Sequence, residues 1–125
     1  MKKLFISCPM KGRLEEDIKK SMRQLHRIAE AVFDEELEVI PSYIEDRNPE
    51  NTNARIWYLG ESIKLMAQAD YYIGVYNEGK YDGCYIENHV ARTYDIPMFC
   101  VDKDLVVTEH KDLYKAFGIE NIKEK

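Results

Sequence analysis

Apolar positions in this chain follow two different rhythms. Short continuous runs, KLFISC at residues 3–8, LEVIPSYI at 37–44, DYYIGVY at 70–76 and PMFCVD at 97–102, have the length and β-branched or aromatic content of buried strands. Between the first two, Leu14, Ile18, Met22, Leu25, Ile28, Ala29, Val32 and Phe33 recur at spacings of three and four, which predicts an amphipathic helix of about six turns. A second helix is expected over residues 54–69, with Ile56, Leu59, Ile63, Met66 and Ala67 inward, and a third over about 83–94. Pro41 stops or bends the second strand, and EDRNPENTN at 45–53 has the turn formers of a surface loop. Near the end, DLVVT suggests a short edge strand and HKDLYKAFG a last helix closed by Gly118.

Strands alternating with helices call for a parallel sheet joined by right-handed crossovers. The expected fold is a single α/β domain over residues 1–125, a three-layer flavodoxin- or Rossmann-like open sheet of four to five mostly parallel strands with helices on both faces. Such sheets bind ligands at the carboxyl ends of the strands, where the strand order reverses. The loops CPMKGR and YNEGKYDG, after the first and third strands, both belong to that edge.

Composition narrows the function classes. With 125 residues, 45% hydrophobic and 33% charged, the chain has the make-up of one ordinary globular domain. No apolar run approaches the roughly 20 residues of a membrane span, and the apolar start, about five residues before Pro9, is short for a signal peptide. A cytoplasmic protein is expected. A net charge of -5 argues against binding a nucleic-acid polymer, although one small anion can still find a locally positive loop. Cys8, Cys84 and Cys100 form no CxxC pair, so neither a disulfide framework nor a metal site is expected, and Cys8 and Cys100 read as core. His26 reads as a surface residue and His110 as the start of the last helix.

Glu87 breaks the pattern of the third helix. Its neighbours three and four residues away are Gly83, Cys84, Val90 and Ala91, with no charged partner, and the face it shares with Val90, Ala91 and Tyr94 looks half-buried. A carboxylate one turn into a helix is favoured in its ionised form by the dipole, and at a ligand edge it has the properties of a nucleophile. Asp82, just before it, is suited to cap the helix amides. In CPMKGR, Gly12 permits close backbone approach while Lys11 and Arg13 supply charge for an anionic group, although the acidic Glu15, Glu16 and Asp17 also answer the helix dipole without a ligand.

Two segments carry a resemblance. QADYYIGVYNEGKYDGCYIENHVARTYDIPMFCV resembles the central segment of the nucleoside 2-deoxyribosyltransferase family, where an acidic loop leads into glycine, three residues, glutamate, three residues, alanine; here Gly83, Glu87 and Ala91. LFISCPMKGRLEED is similar to the first loop of the deoxynucleoside 5′-monophosphate N-glycosidases of the same superfamily. The resemblance implies cleavage or exchange of an N-glycosidic bond through a covalent glycosyl-enzyme, as in retaining glycosidases, without a cofactor. It makes Glu87 the nucleophile and Asp82 a neighbouring acid, and gives Lys11, Gly12 and Arg13 to a 5′-phosphate. Phe5, Cys8, Met10, Ser62 and Gly83 then line the substrate. The implied partner is a deoxynucleoside or deoxynucleotide, and sites completed by a neighbouring subunit imply a homodimer or larger homo-oligomer.

The chain departs from this pattern at three positions. Phe5 stands where family members usually have tyrosine, Ser62 where they have a catalytic aspartate, with Glu61 adjacent, and His89 where they have glycine. These departures keep a non-catalytic nucleotide-binding or signalling module of the same fold as the alternative. Among the tyrosines, read first as core or interface, Tyr76 or Tyr81 is placed to stack on a base.

Overall fold

The computed structural model describes residues 1–8, 14–41, 47, 49–76 and 82–102. Within them the order is β1 (Lys2–Ile6), α1 (Glu15–Phe33), β2 (Leu37–Val39), α2 (Ala54–Met66), β3 (Tyr71–Tyr76), α3 (Asp82–Thr93) and β4 (Met98–Asp102). The strands form one four-stranded sheet in the order β2-β1-β3-β4, with every pairing parallel. The expected α/β class and parallel sheet are therefore present. The expected edge strand at 104–108 and last helix at 110–118 lie outside the described residues.

The alternation of side chains along β1 divides the core. Leu4, Ile6 and Cys8 join Leu25, Ile28 and Ala29 of α1, whereas Phe5 joins Tyr72, Met66 of α2 and Ala91 of α3. Phe5 lies beside Tyr72 in the strand register, and their rings stack at 5.8 Å with an interplanar angle of 6°. Register at the start of β3 is held by Asp70, which accepts from the Lys3 amide at 2.8 Å and donates its own amide to the Lys3 carbonyl.

The helix ends follow local chemistry. Leu14 offers α1 no side-chain cap, and the acidic first turn of Glu15, Glu16 and Asp17 answers the exposed amides instead. Asp34 closes α1 in the left-handed region, at φ 57°, which a short polar side chain tolerates. Asn53 caps α2, its side chain accepting from the Ile56 amide at 3.2 Å. Asn53→Ala should cost about 1 kcal/mol, read as a lower urea midpoint with unchanged slope.

Several assigned faces need correction. Leu14 is 71% exposed because it precedes the helix, and Tyr94 is 75% exposed because it follows the last turn of α3. Ile56, expected inward, is 67% exposed, and Ala67 lies beyond the end of α2 and is exposed; only Met66 of that helix is fully buried. His26 is not a plain surface residue: its ring nitrogen meets the Leu37 carbonyl at 2.9 Å and Glu30 at 3.3 Å, tying α1 to β2. Cys8 is buried as expected, while Cys100 is half-buried.

Candidate active site

Chain order creates a reversal between the two central strands. From β1 the chain moves outward to β2, then returns across β1 to β3, so the carboxyl ends of β1 and β3 flank a topological switch point. Ser7, immediately after β1, keeps its amide bonded to the Ile73 carbonyl of β3 at 2.9 Å. Its side chain follows Phe5 by two residues and faces the same side, toward α3. Glu87 reaches that side from α3.

Glu87 is only 8% exposed. The Ser7 hydroxyl donates to its Oε1 at 2.6 Å, within the buried interior, and Ser62 of α2 supplies a second side-chain hydrogen bond. Burial pushes the Glu87 carboxyl above its ordinary range, and the hydrogen bonds from Ser7 and Ser62 pull it back in part. The helix-dipole expectation of a readily ionised group thus gives way to desolvation as the dominant influence. Among the described residues no charged side chain enters the balance of causes for Glu87.

The sign of this shift makes a prediction. A carboxyl whose folded value is raised carries no penalty below its ordinary range, where folded and unfolded chains both hold the proton; the cost of burying charge appears as pH rises through the folded value. Glu87→Gln, which keeps an acceptor for Ser7, should be more stable than the parent at pH 7 by about 1 kcal/mol. Its advantage should fade near pH ~4, where the parent carboxyl is also neutral. Thermal melts of both proteins at the two pH values read the difference directly.

Around Glu87 lies a polar cluster. The Tyr72 hydroxyl and the Cys84 thiol also come within hydrogen-bonding reach of Ser7. Tyr72 donates to Asn88 Oδ1, and Asn88 Nδ2 donates to the Val75 carbonyl at 3.0 Å. Burial raises the Tyr72 phenol far above its usual range and pushes the Cys84 thiol up to about 12, so both keep their protons at neutral pH. Gly74 makes this arrangement possible: a Cβ there would stand 2.2 Å from Asn88 Oδ1 and 2.9 Å from the Tyr72 hydroxyl.

Of the residues singled out from sequence, Ser62 and Glu87 come together, and Phe5 lies in the core beneath the cluster. Cys8 is buried on the α1 side of the sheet. Gly83 is exposed in the first turn of α3 with open space where a Cβ would be. Asp82 is the first residue of α3 rather than the residue before it, and its side chain lies outside the description. Met10, Lys11, Gly12, Arg13 and Tyr81, and the side chain of Tyr76, also lie outside the described residues. Glu61 turns to Lys64 at 2.7 Å, while its neighbour Ser62 takes the place beside Glu87. His89, considered as crowding the site, is exposed and rests against Tyr85, with ring centroids at 5.1 Å.

Ser7, Tyr72, Cys84 and Asn88 were not singled out by sequence reasoning as site residues. The one available signal was the isolated Gly74 inside a strand pattern, which marks close approach by another group. Among the described residues no group of three or more histidine, cysteine or acidic side chains is placed to hold a metal, and no helix is long and apolar enough to cross a membrane. No protein-family model matches the chain, and neither the curated proteins nor the solved structures contain a match.

Proposed function

We propose that this chain cleaves or exchanges the N-glycosidic bond of a 2′-deoxynucleoside or its 5′-monophosphate through a covalent glycosyl-Glu87 intermediate. The observation that carries the reading is a buried carboxylate at the switch point of a parallel sheet, held on one oxygen by Ser7 at 2.6 Å. A nucleophilic carboxylate must be oriented without being quenched by a cation, and hydroxyl donors achieve that. In the first step a Glu87 oxygen bonds to C1′, the C1′–N bond breaks with its electron pair leaving on the base, and an acid protonates the base. In the second, water or another base attacks C1′ and releases the carboxylate.

In this reading Asp82 is a neighbouring acid, and Lys11, Gly12 and Arg13 receive the 5′-phosphate. Ser62, a hydroxyl at the position of the family aspartate, suits a sugar hydroxyl or the attacking water rather than proton donation. The reading includes one cytoplasmic three-layer domain acting as a homodimer or larger homo-oligomer. The exposed Ile56 on α2, with Tyr85 and Ile86 on α3, supports association.

A nucleotide-holding module is the second reading. It is favoured by the apolar Phe5 packed away in the core and by the burial that draws Glu87 toward its neutral form. Incubation with a panel of deoxynucleosides and 5′-monophosphates, with and without an acceptor base, separates the two: free or exchanged base supports the enzyme, and binding without turnover the module.

A further inference from the structure

The donors in the polar cluster can be assigned one by one. A backbone carbonyl only accepts, so the Asn88 nitrogen that meets Val75 at 3.0 Å fixes the amide, and Oδ1 faces the Tyr72 hydroxyl as acceptor. The Tyr72 proton is therefore committed to Asn88, which leaves the phenol oxygen free to accept from Ser7. Ser7 has a single proton and two oxygen acceptors within reach, Glu87 and Tyr72, with the weakly accepting Cys84 sulfur as a third neighbour.

We propose that Tyr72 is a positioning residue for Glu87: seated over Gly74 and oriented by Asn88, it offers Ser7 a second acceptor, so the Ser7 proton points to Glu87 when that group is charged and to Tyr72 when it is neutral. In the neutral state the hydrogen bonds run one way, from Glu87 to Ser7, Tyr72, Asn88 and the Val75 carbonyl, so each donor along that path has an acceptor. In the charged state Ser7 donates to Glu87, and the Tyr72 and Asn88 bonds stay as they are. The catalytic consequence rests on the proposed glycosyl reading, in which a glycosylated Glu87 is also uncharged and accepts less strongly. The swing of one hydroxyl then accompanies each gain and loss of charge without leaving a buried proton unpaired.

The groups facing Glu87 come from four elements: Ser7 after β1, Ser62 on α2, Tyr72 on β3 and Cys84 on its own helix. Cys8 and Cys100 stand near Cys84. Burial raises the Tyr72, Cys84 and Cys100 groups, so these three keep their protons at neutral pH. The side chains of Lys11, Arg13 and Asp82 lie outside the described residues, so the test reads Glu87 itself.

The experiment is a titration of the Glu87 carboxyl by carbon-13 NMR in the full chain, beside the pH profile of base release. Tyr72→Phe keeps the ring stack but removes the acceptor that the neutral state needs, so the Glu87 midpoint should fall by about one pH unit. Asn88→Leu frees the Tyr72 proton to turn toward Ser7, which drives the Ser7 proton onto Glu87, and the midpoint should fall again. Ser7→Ala removes the donor to the charged form and should move it upward. Phe5→Leu loosens the same stack without touching a hydroxyl and should leave it in place. An unchanged or raised midpoint in both Tyr72→Phe and Asn88→Leu overturns the assignment, as does an equal fall in Phe5→Leu. Shifted midpoints in a protein without turnover would refute the glycosyl reading and still support the positioning role.

Discussion

Glu87→Ala should lower release of free base from the preferred deoxynucleoside or 5′-monophosphate by roughly 1,000-fold or more, while substrate binding stays within about tenfold of the parent. The asymmetry follows from what the carboxylate is asked to do. In the proposed reaction it makes its bond to C1′ only as the base departs, so its loss would fall on the reacting state rather than on the bound substrate. Alanine also leaves Ser7 and Ser62 in place, and removes a carboxyl that burial renders unfavourable, so the variant should fold. Chromatography of free base, with binding followed by calorimetry, measures the two quantities separately. Equal turnover in parent and variant would remove Glu87 from the chemistry. Loss of binding alone would favour the nucleotide-holding module.

The strands and helices were legible because the two rhythms of apolar residues are distinct, and the parallel sheet followed from their alternation. Faces were less legible. In α2 the segment ARIWYLG is apolar nearly all round, so a spacing of three and four selects no unique stripe, and Ile56 was placed inward when it faces water. Leu14 and Tyr94 continue the spacing of helices that begin after the one and end before the other. Spacing carries no information about where a helix stops.

The site divides in the same way. Glu87 stood out because an acidic residue lay on an otherwise apolar face with no partner within one helical turn, and that is a local property. Its partner Ser7 lies 80 residues away along the chain, and only the parallel register of β1 with β3 brings the two together. Tyr72 was one of nine tyrosines, indistinguishable from a core aromatic until its register with Phe5 and the space over Gly74 were known. Such groups act through long-range pairing, which periodicity does not encode. Ser62 is a different case: it was singled out by counting back from Asp70 along the pattern of the resemblance, and in the fold it is among the groups that lower the Glu87 carboxyl.

Gly74→Ala should be among the most damaging single-methyl additions to this sheet, lowering stability by about 3 kcal/mol and the melting midpoint by roughly 10 °C. The backbone at Gly74 has no need of a left-handed conformation, so the cost lies in the space above it. A Cβ would approach Asn88 Oδ1 to 2.2 Å, Tyr72 Cε1 to 2.8 Å and the Tyr72 hydroxyl to 2.9 Å. Tyr72 is fully buried and stacked on Phe5, so its ring has no slack, and Asn88 is held to Val75 from the other side. Relief requires breaking the Tyr72–Asn88 bond, which leaves two buried polar groups unpaired and frees the Ser7 hydroxyl from its second acceptor. Differential scanning calorimetry measures the loss. The double variant Gly74→Ala with Asn88→Ala identifies its source: deleting the side chain at the shortest contact should recover part of the stability lost at Gly74, so that the double change costs less than the sum of the single ones. Strict additivity would mean that Asn88 is not what the methyl meets, and the Tyr72–Asn88 pair would lose its claim to the space over Gly74.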